Sequence, residues 1–282
     1  TLTVTAADIS AVSDQIKNIV SGQSVTKIVV DTTGAIPTGA FKDNAFKNVT
    51  EIEIINAGDI ETKAFDGVSN SSSITRNITI VKSGDIASQA FYRLNGAGGQ
   101  LNITECGNIA ADAFRYAKLS GEISIDKCGN IEPKAFDSSS ANNASYTTLK
   151  IGSCGSIGDD AFKGLSSITA AEIGTITGTI EGSVFSHFSN LTSVEIGTCG
   201  DITDNAFEYN SALTTVTIEN AGNIGKTVFR SCPKVETLTI TSCGDIGSQA
   251  FLGMTGLKTV TIGKCGSIGS SAFGSMMSST GA

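Results

Sequence analysis

The chain has 282 residues, a net charge of −8 at pH 7, a pI near 4.7 and only 16% charged residues. This acidic balance argues against nucleic acid or an anionic membrane surface as partner. No apolar run approaches the roughly 18 residues needed to cross a bilayer, so membrane insertion is excluded as well.

Residues 1–24 form a unit of their own. Thr1–Thr5 reads as a short edge strand, and residues 6–20 place Ile9, Val12, Ile16, Ile19 and Val20 at helical spacing, with Gly22 able to end the helix. Such an amphipathic helix would cover the open apolar end of a stacked array.

From residue 25 to 274 the chain repeats. An Ile is followed five residues later by a Phe eleven times, from Ile36/Phe41 to Ile268/Phe273, and the units are 22 to 26 residues long. Eleven of the thirteen Phe therefore share one phase. A period in this range with one strand-like segment per unit predicts a solenoid, in which each coil buries its apolar face only against its neighbours. The strand segment alternates, as in Thr259 and Thr261 outward with Val260 and Ile262 inward. The Phe falls on the return, on a short helical or 3₁₀ turn, and is expected to stack on the Phe above and below.

Three further rows share this period. The residue two before the marker Ile is Gly in every unit, from Gly34 to Gly266. That demands a positive φ, or a backbone pressed too closely against the next coil for a Cβ. The following residue is usually Asp, Asn or Ser, as expected where a side chain closes a turn on its own backbone. Six of the seven Cys (106, 128, 154, 199, 243 and 265) stand three before the marker Ile, with Thr33, Ala57, Ser83 and Ala221 filling that slot elsewhere. A ladder of small buried residues accounts for this phase better than a disulfide framework.

Two units carry insertions, residues 66–77 and 137–148, expected as polar loops from one edge of the sheet. Residues 173–180 hold one extra residue, for which a local bulge is expected. The tail, residues 275–282, is short and polar. It caps the last coil poorly, which predicts either further chain or end-to-end self-association through the C-terminal coil.

The pattern L-x-x-[VL]-x-I-x-x-C-G-x-I, continued by I-G-S-Q-A-F at 246–251 and V-F-R-S-C-P at 228–233, resembles the BspA-like bacterial leucine-rich repeats over residues 25–273. The departures are Cys-Gly after the strand and a post-Phe Cys kept only at Cys232. The resemblance implies an α/β-type leucine-rich repeat solenoid, right-handed, with a single parallel β-sheet on the inner face and short helical or 3₁₀ turns outside. It also implies a secreted or cell-surface protein acting in adhesion and protein binding.

Catalytic and cofactor chemistry finds no foothold. The only histidine, His187, falls on an outer turn, away from any Ser or Cys partner in a cleft. No P-loop, G-x-G-x-x-G or C-x-x-C pattern occurs. Cysteines arriving one per coil from one direction cannot converge on zinc, and the row of Asp offers too few oxygens for calcium. The sequence thus predicts a non-enzymatic module with no cofactor. The candidate ligand-binding residues are Glu51, Glu53, Asn77, Thr79 and Asn102 on the outward strand face, Tyr92 and Arg93 just past Phe91, and Tyr146 on the second insertion. Two rivals stand beside the adhesion module. One is a structural spacer; the other is an ice-binding array built on the pairs Thr215/Thr217, Thr237/Thr239 and Thr259/Thr261.

Overall fold

The computed structural model describes residues 1–5, 24–42, 46–65, 68, 74–94, 98–139 and 145–275. The helix expected over residues 6–20 and the tail beyond residue 275 lie outside the described residues. The strands are β1 (Leu2–Val4), β2 (Lys27–Asp31), β3 (Glu51–Asn56), β4 (Asn77–Lys82), β5 (Leu101–Glu105) and β6 (Ser120–Lys127). They continue as β7 (Ser145–Cys154), β8 (Ala170–Ile176), β9 (Ser193–Thr198), β10 (Thr215–Asn220), β11 (Thr237–Ser242) and β12 (Thr259–Lys264).

All twelve form one sheet in sequence order, and every neighbouring pair is parallel. Alternation places Val216 and Ile218 of β10 in the core while Thr215 and Thr217 face solvent. Equivalent residues stand side by side, as in Ile240 with Ile262, so each apolar row continues from coil to coil.

Two more ladders hold the coils together. The marker isoleucines bridge one another in parallel from Ile36 to Ile268. At the return, Phe91 N–H donates to Ala113 O at 2.9 Å, and Phe229 N–H to Ala250 O at 2.7 Å. Between them lies the phenylalanine spine, stacked with centroids 4.7 Å apart at Phe65/Phe91 and 5.8 Å apart at Phe229/Phe251. Tight, nearly parallel stacking along the whole core explains why Phe alone holds this phase.

The return segments are mostly hydrogen-bonded turns; of the helical or 3₁₀ turns expected outside the sheet, the described residues show 3₁₀ geometry only at Phe46. Ala90 N–H reaches Ala87 O and Tyr92 N–H reaches Gln89 O, both at 3.1 Å. The turns do not propagate because left-handed residues interrupt them, Gln89 at φ 60° and Arg93 at φ 54°.

The glycine row is settled in favour of close approach. None of these glycines has a positive φ. A Cβ on Gly107 would lie 2.1 Å from Asp85 Oδ1, and one on Gly155 2.1 Å from Asn130 Oδ1. That oxygen belongs to the coil before, which corrects the expectation for the Asp/Asn/Ser row. These side chains do not close their own turns. They accept the N–H of the equivalent residue one coil on: Asp85 N–H to Asp59 (2.9 Å), Asn108 N–H to Asp85 (2.7 Å) and Asn130 N–H to Asn108 (2.8 Å). Ser156 and Thr179 continue the ladder, and it resumes from Asp201 to Ser267.

Much of the two insertions expected as projecting loops, residues 66–67, 69–73 and 140–144, lies outside the described residues. Val68 and Arg76 are fully buried, and Arg76 Nη2 donates to Lys47 O at 2.9 Å; burial lowers the pKa of this guanidinium to about 10. In the second insertion, Ser145 to Thr148 lengthen β7 and pair with Ser120 to Glu122 of β6. The extra residue of 173–180 leaves the strand register of β8 intact, because it is absorbed at Thr177 beyond the strand. Ile176 pairs with Cys154 and fills the slot of small residues. In the first coil that slot is filled by buried Thr32, not the expected Thr33, after a register shift at Val30/Asp31.

Candidate functional site

The solvent face of the sheet is a set of straight rows. Glu53, Thr79, Asn102, Ser124, Lys150, Glu172, Glu195 and Thr217 succeed one another in register from β3 to β10. Five predicted residues meet here: Glu51 and Glu53 beside Asn77 and Thr79, with Asn102 one strand further. They differ in how satisfied they are. Lys27 Nζ reaches Glu51 at 2.9 Å and Glu53 at 2.8 Å, and the two carboxylates hold its pKa above the ordinary lysine value. Asn77 Oδ1 accepts the N–H of Gln100 at 3.1 Å.

A part of this face outside the predicted site residues lies further along. Gly152, Gly174 and Gly197 follow one another on β7, β8 and β9 at a position where other strands carry Ile55, Val81, Asp126 or Glu219. No side chain fits there, since a Cβ on Gly174 would stand 2.2 Å from Gly152 O. The result is a groove of about 550 Å³, lined among others by Asp126, Lys150, Glu172, Thr198 and Glu219. Elsewhere on the face carboxylates are neutralised, Glu105 by Lys127, Glu122 by Lys150 and Glu236 by Lys258. Among the described residues Asp126, Glu172, Glu195 and Glu219 form no ion pair. Glu172 and Glu195 are direct partners across β8 and β9, an arrangement of like charges that costs stability. The signal was visible as Glu172 and Glu195 followed two residues later by Gly174 and Gly197, but only register makes them neighbours.

The aromatic candidates separate. Tyr146 belongs to the core at 2% exposure, where it pairs with Gly121 of β6; burial raises its phenol pKa. It therefore leaves the candidate surface. Tyr92 and Arg93 lie on the return turns, away from the sheet, with Arg93 over the Tyr92 ring at 5.1 Å and Tyr116 beside it at 5.7 Å. The threonine pairs stand in register on β10, β11 and β12, and Glu195 replaces the threonine on β9.

All seven cysteines are free. Cys106, Cys128 and Cys154 lie side by side; neighbouring Cys106 and then burial push the Cys128 thiol up, against an opposing effect of Cys154, and neighbouring Cys128 and then burial push the Cys154 thiol far above the ordinary range. His187 is exposed, with Nδ1 3.3 Å from Ser186 Oγ. Among the described residues no group of three or more His, Cys, Asp or Glu is placed to hold a metal ion. None of their helices is long and apolar enough to cross a membrane.

A single parallel sheet, coils stacked in sequence order and a polar solvent face together define a repeat solenoid of the leucine-rich kind. The chain belongs to the BspA-type leucine rich repeat family: the model of that repeat region, six copies long, matches residues 34–154 and again 155–280. Repeats of this family often serve as surface protein-interaction modules and are generally non-enzymatic. Its proteins are typically surface-located or secreted. Comparison with curated proteins and with solved structures gives no match.

Proposed function

We propose that this chain is a non-enzymatic protein-binding or adhesion module of a secreted or cell-surface bacterial protein, and that the solvent face of its sheet carries the recognition. The observation that carries this reading is the pair Glu172 and Glu195, set in register with each other beside the glycine-floored groove and, among the described residues, held in no ion pair, Lys150 next to Glu172 being engaged by Glu122. A spacer gains nothing from that repulsion, whereas a partner bringing opposite charge relieves it. Glu51, Glu53, Asn77, Thr79 and Asn102 form the upper end of the same face, where Lys27 bridges both acids and offsets one of their two charges. End-to-end self-association through the C-terminal coil would add a second contact.

The test is an array of extracellular-matrix and bacterial-surface proteins probed with the full chain and with Glu172→Lys/Glu195→Lys. Binding to an array protein that the reversal abolishes supports the proposal. No binding, or binding indifferent to the reversal, leaves the spacer.

A further inference from the structure

The tyrosine and guanidinium side chains of this molecule that are not buried sit on one ridge, at the two positions following the spine phenylalanines, with Arg93 and Tyr209 exposed and Tyr92, Arg115, Tyr116 and Arg230 half-buried. The chain has four Tyr and four Arg; Tyr146 and Arg76 are buried, and the remaining three of each are paired. Arg93 lies over Tyr92 at 5.1 Å, Arg115 over Tyr116 at 4.7 Å and Arg230 over Tyr209 at 5.3 Å. Tyr92 touches Tyr116, and the sole histidine, His187, lies tilted against Tyr209 with ring centroids 4.9 Å apart. Backbone bonds keep the ridge in line: Arg93 N–H donates to Arg115 O, and Tyr209 N–H to Arg230 O.

The backbone opposes this choice of residues. Arg93, Tyr116, His187 and Tyr209 all have positive φ, between 54° and 62°, where two other coils use Gly164 and Gly253. Large side chains in this conformation are strained and persist where something else requires them. From the coil of Phe91 to that of Phe229 is six strand spacings, about 29 Å, the width of a standard protein interface.

We infer that this ridge is a second binding surface, separate from the sheet face, and that it takes a protein segment rich in hydrogen-bond acceptors. Tyr and Arg are the residues that dominate protein hot spots. The geometry decides against a sugar, because each ring has an Arg against it and an aromatic neighbour beside it, leaving little free face for a pyranose. It also decides against an acidic polymer: Arg115 is matched by Asp112 and Asp137, and Arg230 by Glu208. Arg115 and Arg230 each donate to the phenol oxygen of their tyrosine at 2.9 Å, which leaves the phenol O–H of Tyr116 and Tyr209 to donate outward.

A random peptide library displayed on phage and selected on the immobilised full chain tests the inference. The expected binders weaken about tenfold or more with Tyr116→Asn/Tyr209→Asn, a residue that tolerates positive φ, and several-fold with the milder Tyr116→Phe/Tyr209→Phe. They are expected to stay within about twofold of their affinity on Glu172→Gln/Glu195→Gln and to change little between low and moderate salt. No recovered binders, binders that follow the glutamates instead of the tyrosines, or a glycan array that binds through these tyrosines would each overturn it.

Discussion

Asp85 shows how a single side chain links neighbouring coils. Its Oδ1 accepts the N–H of Asn108, and the same oxygen occupies the space a Cβ on Gly107 would need. Asp85→Ala is expected to cost about 1 kcal/mol by denaturation, and Asp85→Asn, which keeps an acceptor, close to nothing. Gly107→Ala should cost more, and the double variant less than the sum, because removing Asp85 clears part of the clash. Strict additivity would mean the two residues do not share that space. The invariant Gly was legible in the sequence; its cause was not, since the obstructing oxygen lies a whole coil away. The thiols make a second case. Burial raises Cys199 and Cys232 from an ordinary 9.0 to about 12. Both stay protonated in the folded chain while the unfolded chain ionises above pH 9, so their contribution is fully present below pH 9 and is lost as pH rises towards 12. Stability measured across that interval should fall, and less so in a Cys199→Ala/Cys232→Ala background compared with its own value at pH 8. At pH 8 a thiol reagent should label exposed Cys265 first and reach all seven cysteines only after denaturation.

At the scale of the element, strands and turns differ in how well they could be read. The strand segments were plain from alternation alone, because β-branched residues on a two-period face fit a parallel ladder whatever the neighbours do. The return turns were not. Their outcome depends on Gln89 and Arg93 adopting positive φ, and side chains of those types give no warning of it. The placement of Tyr146 misled for a related reason. Polar composition suggested a surface position for Tyr146, yet it enters the core because residues 145–148 extend β7 and so inherit its inward–outward alternation. Tyr146→Ala is therefore expected to lower stability by roughly 3–5 kcal/mol in a chemical denaturation. Loss of binding with unchanged stability would instead return Tyr146 to the surface.

For the whole molecule, function follows from what the stack does with charge. Parallel stacking in register turns each outward position into a row, so an ion pair such as Lys127 with Glu105 is built by placing opposite signs one repeat apart. The same rule makes Glu172 and Glu195 a deliberate exposure of like charge on β8 and β9. The candidate face was legible as a list of outward residues, but the groove and its unmatched acids appear only when three glycines and four carboxylates from separate coils are brought together. The most direct measurement is the urea midpoint of Glu172→Gln/Glu195→Gln against the parent chain at low and at high salt. A face kept acidic for a partner predicts a higher midpoint in the variant at low salt, with the difference shrinking as salt screens the pair. A lower midpoint, at either salt concentration, would contradict the claim by showing that the two glutamates hold the fold together.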